Sequence, residues 1–575
     1  MHATGIVTAA VLANAAWAGE LPHVTLTPVL WWGQTIRATT VSGEPVRDFL
    51  EVKQYDNLPF TINARREAFV PQIVTRAKPA GAGPLILGAS GARFVEFNEQ
   101  AIVGTGEIGA ERARISILDD NGRHICFVAT RAMGDASSPS VTGLWVGDGD
   151  GYRRVLRDGE HVSGLAAGEV VRLLPDMNER SVVVDRSGRT LVNCTTSAGG
   201  APVWIDVTDA GASLRFRTDS ALAGLHADER LMQFSDTAQR VIDTNAKGDM
   251  LAYWRLTPSR GGMVLLRGDV ATVLLRDGDA LPGANDRYRV YQQLGAMKTS
   301  PRINENGDLA FFVWAKEPAP FNGEQRALVT STADALRTAA REGEPATDTL
   351  RHSVLGDVVL SDTGDAAFSS SVSGPGTWNA ADSSVFLMRK GAASPSLLVR
   401  DHGPAPSWGD GVLAYLPSAA SGTTMQFDHR GRLFVSGAMS SANSVLWMTN
   451  ERDLLEPVLW SGGTVLMGDT PRTIASIATF AAPETVSPGV CAWIRFADGG
   501  EGAFIVNVDE ANIHSVADLN SDGLVDAYDL NLFFDAFVEG SQGWHGLVAD
   551  IDGDGFLTFM DFDTFVTAFE QDGTN

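Results

Sequence analysis

The sequence predicts an all-β fold built from a tandem repeat, followed by a small acidic module. Three observations carry this expectation. A turn pattern recurs with a period near 60 residues. No helical periodicity lies between its copies. The first and last copies hold complementary parts of one repeat.

The turn pattern is plainest at Ile303-Asn304-Glu305-Asn306-Gly307-Asp308-Leu309-Ala310-Phe311-Phe312. Asn at the first position and Gly at the fourth suit a type I turn, and the Asn side chain can bond backbone two residues on. Gly accepts the positive φ of the bulge that follows. The pattern recurs at Asp119/Gly122, Asp185/Gly188, Asn245/Gly248, Ser361/Gly364 and Asp428/Gly431, with a weaker copy ending at Gly489 and a degenerate one at Asn63. Successive glycines lie 66, 60, 59, 57, 67 and 58 residues apart.

Two further signatures share the period. One is a short apolar strand, as at Leu144-Trp145-Val146, Val203-Trp204-Ile205, Ala327-Leu328-Val329 and Phe504-Ile505-Val506. The other is a basic-acidic turn, as at Arg157-Asp158-Gly159-Glu160, Arg276-Asp277-Gly278-Asp279, Arg341-Glu342-Gly343-Glu344 and Arg400-Asp401-His402-Gly403. One unit therefore reads as four strands, which is the content of a propeller blade. The first copy starts in mid-unit at Val29-Leu30-Trp31, and the last stops after Phe504-Ile505-Val506, the strand the first copy lacks. Pairing the two, with Phe504 against Val29, would close a ring and leave no bare sheet edge. The expected fold is a β-propeller of about eight four-stranded blades, or seven if the copy at Asn63 packs differently. A small α-helical module follows it.

The repeats resemble a family of secreted bacterial proteins with tandem NxxGxxAF repeats and a choice of C-terminal anchors. Asn304 to Phe311 match that pattern residue for residue, and the resemblance covers roughly Thr25 to Val508. It implies secretion and anchoring, and no activity. Gly5 to Ala16 is apolar and small, with Ala16-Trp17-Ala18 as a small-x-small site, so residues 1–18 read as a signal peptide and the protein as extracellular or cell-surface. No later stretch approaches 18 apolar residues, so no membrane span is expected. Cys126, Cys194 and Cys491 each follow a repeat turn and read as small core residues.

The net charge of −25 argues against nucleic acid as a partner. About half of it comes from the tail: Ala511 to Asn575 holds 13 Asp and Glu and no Lys or Arg. The cause is local. Asp518, Asn520, Asp522, Asp526 and Asp529 occupy positions 1, 3, 5, 9 and 12 of a calcium loop with Gly523 at position 6, and the carbonyl of Leu524 serves position 7. Asp550, Asp552, Asp554, Phe556, Thr558 and Asp561 repeat the set 32 residues later. Two bound Ca²⁺ ions are expected. Each loop leads into an apolar helical stretch, Leu530 to Phe537 and Phe562 to Phe569. Phe533, Phe534, Phe537, Phe565 and Phe569 are expected to share a core. Asp at position 12 and the loop-helix duplication look like a dockerin-like, EF-hand-type domain, over residues 509–575. That resemblance implies a cohesin-like or other surface or scaffold partner. The hydroxyl pairs of many cellulosomal dockerins are replaced by Ala527-Tyr528 and Phe559-Met560, and no Cys follows Cys491.

Catalytic residues are not identifiable from the sequence. The ten histidines show no metal-ligand spacing, and His124, His402 and His429 read as turn residues. There is no nucleophile elbow; Gly88-Ala89-Ser90-Gly91 is a turn. The Arg-acid turns read as structural ion pairs that close each blade, or as a ring of arginines binding anions. The sequence thus points to a secreted, non-catalytic ring (residues 19–508) with a calcium-dependent anchor. The alternatives are a polysaccharide-degrading glycoside hydrolase carrying a dockerin, with glycan as the ligand of the ring, and an extracellular adhesin or sensor.

Overall fold

A computed structural model describes the strands between residues 24 and 94, most of 101–508, residues 517, 530, 533, 534 and 537, and the helix 559–572. The chain is all-β up to Val508. Among the described residues its repeats form eight mainly antiparallel sheets of four to six strands in chain order, beside a two-stranded pair of Thr35–Ile36 with Leu50–Glu51. The fourth is representative: Ile242–Thr244, Met250–Thr257, Arg260–Arg267 and Val270–Arg276 pair as a simple meander. The degenerate copy at Asn63 has its own sheet, in which Thr61–Ile62 and Ala68–Val74 flank the turn. The four-strand meander of each sheet begins at the strand before the Gly turn. The unit read from the sequence is therefore one sheet with its strands permuted.

Hydrophobic side chains fill each gap between successive sheets. Ile86 of the first sheet meets Trp145 of the second, and Phe127 of the second packs with Val203 of the third. Trp204 meets Trp254, with ring centroids 6.2 Å apart, between the third and fourth. Phe311, Phe368 and Trp447 anchor the next three gaps, and Phe504 the last. A layer between sheets hides both faces of each. This explains why the central strands read as near-continuous apolar runs instead of alternating.

The eighth sheet closes the ring. Val24–Trp31 pairs with Glu501–Val508, and also lies against Ala82–Gly88 of the first sheet. The first strands of the third to seventh sheets touch one another in sequence, so they form the inner wall. The arrangement is propeller-like. One detail differs from the expected register. Phe504 lies opposite Pro28, not Val29, because a bulge between Pro28 and Leu30 shifts the pairing by one residue.

The tail contains the helix Phe559–Asp572, longer than the expected 562–569. Phe533 and Phe565 are fully buried and stack with centroids 4.2 Å apart. Leu530, Phe537, Phe562, Val566 and Phe569 pack around them. Phe534 departs from the expected core, at 42% exposed. No helix among the described residues is long and apolar enough to cross a membrane. Residues 1–18 lie outside the described residues.

Candidate functional site at the seam of the fifth and sixth sheets

The inner wall carries an irregularity in the sixth sheet. In most sheets the inner strand is short, and the connection leading to it pairs separately. The sixth sheet differs: Arg351–Leu360 runs as one ten-residue strand. Its register shifts between Leu355 and Val358, which places Gly356-Asp357 in a bulge. Bulges re-aim side chains, and here the re-aimed residue is a carboxylate.

Asp357 is half-buried, and Ser369 Oγ accepts its N–H at 2.9 Å. Burial holds its carboxyl above the usual range, against the pull of Arg326 and Arg302. Arg302 comes from the inner strand of the fifth sheet and donates through Nε to Val358 O at 3.3 Å. Arg326 donates through Nη1 to Leu355 O at 2.5 Å, and its guanidinium carbon lies 4.2 Å from the Phe312 ring centroid. Burial lowers its pKa, with Glu342 and Asp357 opposing. Glu342 accepts the N–H of Arg326 and that of Leu355, at 2.9 and 3.1 Å. Both its oxygens thus hold backbone. The seam presents one carboxyl whose pKa burial raises, framed by two cations. Glycoside hydrolysis in its usual forms needs two carboxyl groups.

A Ser-His contact lies in the same sheet. His352 Nδ1 is 2.9 Å from Ser370 Oγ, and both residues are buried. Ser370 Oγ donates to Val354 O at 3.2 Å or Ser371 O at 3.0 Å, which leaves its oxygen to accept from the imidazole. Burial lowers His352 to about 4, so it is neutral. A hydroxyl that accepts from histidine is not being deprotonated by it, and the pair is structural.

The Arg-acid turns hold neighbouring segments together. Arg276 grips Glu229, 47 residues upstream, at 2.7 and 3.1 Å. Arg217 grips Glu169 in the equivalent way, and Arg341 holds Glu344 at 2.6 Å. Arg276, from one of the expected Arg-acid turns, and Arg217 each hold an acid on the preceding connection. The acids of the turns cap backbone instead, as Asp277 does for Gly261 at 2.6 Å. Arg276 and Arg341 of the turns are thus engaged by carboxylates. His124 is buried, with Nδ1 2.8 Å from Tyr152 Oη, while His402 sits in its turn at φ 58°. His429 lies outside the described residues. Cys126 and Cys194 are free and buried, and burial pushes Cys194 up to about 12.

The predicted calcium ligands Asp518, Asn520, Asp522, Leu524, Asp526, Asp529, Asp550, Asp552, Asp554, Phe556 and Thr558 lie outside the described residues. Asp561 falls within the helix Phe559–Asp572. Among the described residues no cluster of His, Cys, Asp and Glu could hold a metal ion. The seam itself was not visible in the sequence. Its only local signal is a strand pattern that reads through Gly356.

A family model described as a family of unknown function (DUF7453) matches residues 233–512. No curated protein matches the sequence. Among solved structures, polysaccharide lyase Uly1 is similar at 12% identity and a TM-score of 0.27, covering 80% of this chain and 100% of that one. A protein of unknown function from Dyadobacter fermentans DSM 18053 matches at 10% identity and TM-score 0.24, over 70% of this chain and 100% of that one. The α-L-arabinofuranosidase Arb93A from Fusarium graminearum matches at 13% identity and TM-score 0.24, over 60% and 97%.

Proposed function

We propose that the chain is a secreted, non-catalytic binding or scaffold protein, held at a surface through a calcium-dependent, dockerin-like tail. One observation carries the tail: its core is duplicated. Leu530 and Phe562, Phe533 and Phe565, and Phe537 and Phe569 are each 32 residues apart. That is also the spacing of the two acidic loops. A two-fold hydrophobic core under two oxygen-rich loops is what a paired calcium module needs. Two ions would neutralise carboxylates that otherwise repel one another, so folding of the tail is coupled to the metal. Several polar groups of the ring tie sheet to sheet, as Asn245 and Asn304 do, which suits a scaffold. A cohesin-like or other surface protein is the proposed partner of the tail.

Calorimetric titration of chelator-treated protein with CaCl₂ is expected to give two bound ions per chain. Asp522→Ala and Asp554→Ala should each remove one. Circular dichroism of residues 509–575 should gain helix on adding Ca²⁺; identical spectra with and without EDTA would refute the coupling.

A glycan-degrading reading has one observation in its favour, the raised carboxyl of Asp357 on the inner wall. Turnover of a glycan panel by the full chain, lost in Asp357→Asn, would establish it. Absence of turnover supports the non-catalytic reading.

A further inference from the structure

The lower end of the same seam carries a surface that the ring's own packing does not use. The N–H of Tyr291 donates to Trp314 O at 2.7 Å, which sets the two residues opposite each other on one face of the fifth sheet. Trp314 is in turn opposite Arg326, so Tyr291, Trp314 and Arg326 form one row. Arg289, Lys316 and Glu324 form the next row outward. Tyr291 is 39% exposed and Trp314 half-buried. The Lys316 ammonium lies 5.4 Å from the Tyr291 ring centroid. Across the seam, the Arg326 bond to Leu355 O brings up the sixth sheet, where Val354 is 42% exposed. Tyr291 and Val354 are two of the few large apolar side chains left in water among the described residues.

We propose that this end of the seam is a binding subsite for an anionic polysaccharide. The two rings offer flat apolar faces with a polar edge, which suits the C–H face and hydroxyls of a pyranose. Arg289 and Lys316 outnumber Glu324 at the open edge. That is a local cationic surface on a chain of net charge −25, so the complementary ligand is acidic. Nucleic acid would need a wider basic face than these few side chains offer. Lys316 over the Tyr291 ring holds the aromatic plane in place before a ligand arrives. This inference rests on the ring being a binding body and is independent of calcium in the tail.

The test is calorimetry of the full chain, in Ca²⁺ and low salt, with polygalacturonate, dextran sulfate and neutral dextran as probes. Binding to at least one acidic polymer is expected, with little to dextran. The first probe reports a carboxylate ligand and the second a sulfate ester. Tyr291→Ala and Lys316→Gln should each weaken that binding at least tenfold, and added NaCl should weaken it further. The idea is overturned if neither acidic polymer binds, or if dextran binds as tightly. It is equally overturned if a folded Tyr291→Ala/Lys316→Gln double variant, matched to the parent by circular dichroism, keeps full affinity. Failure here with two calcium ions still bound would leave the tether standing.

Discussion

Asn304 shows how much one side chain does in this ring. Its Oδ1 accepts the N–H of Asn306 and of Asp308, at 3.0 and 2.8 Å, and so shapes its own turn. Its Nδ2 donates across to Ser361 O in the next sheet at 2.9 Å. Asn245 donates to Asn304 O in the same way, at 3.2 Å. The turn-forming half of this role belongs equally to Asp, as Asp428 shows with Arg430 and Arg432. The inter-sheet half needs an amide. Asn304→Asp therefore keeps the turn, loses the donor and sets a carboxylate beside Asp308. We expect about 1–3 kcal/mol lower stability, measured by urea denaturation, from a buried acceptor left unmet and like charges in contact. Asn304→Ser should cost more than the equivalent change at an exposed Asn. The turn was legible in the sequence because its chemistry is local. The donor's destination was not, because it lies 57 residues away.

At the scale of elements, two connections are each tied down by an acid that faces an arginine of the next sheet, Glu169 by Arg217 and Glu229 by Arg276. Glu169 is buried and bonded to Arg217 and Thr196. Arg217 is the first cause of its lowered pKa, about 2 against the ordinary 4.5. A depressed carboxyl contributes stability that is complete above its unfolded pKa and fades as pH falls toward the folded value. The window here runs from about pH 4.5 down to about 2. Glu169→Gln should lower the melting temperature at pH 6, and the gap to the parent should narrow as pH falls through that window. A gap independent of pH would mean the pair acts through packing alone. The sequence displayed the Arg-rich turns clearly. It did not show which acid each arginine holds, because adjacency is all a linear reading offers. The fold instead brings Arg217 to Glu169 across 48 residues.

At the scale of the molecule, closure is the dominant constraint. An open array would expose the edge of Glu501–Val508 and the apolar side chains Phe504 and Val506 beneath it. Val24–Trp31 covers that edge with Val24, Leu26 and their neighbours in the closing core. Deleting residues 1–31 should convert one cooperative unfolding transition into a broader one at lower temperature, and should promote association on size-exclusion chromatography. A truncated chain with an unchanged melting curve would show that the ring does not depend on this strand.

The sequence by itself determined the repeat, the all-β class, the turn chemistry and the complementary ends. Each of these depends on residues close in the chain or on a period visible along it. It also supplied the acidic loops, whose ligand spacing is a property of twelve consecutive residues. Only the tertiary structure decided which sheet meets which, the one-residue shift at Pro28, and the exposure of Phe534. It alone assembled Arg302, Arg326 and Asp357 at one seam and set Tyr291 opposite Trp314. Those residues come from separate strands, and nothing in linear order marks them as neighbours. The physical reason is the same throughout: backbone preference and turn geometry act locally, whereas packing between sheets brings together groups that the chain keeps far apart.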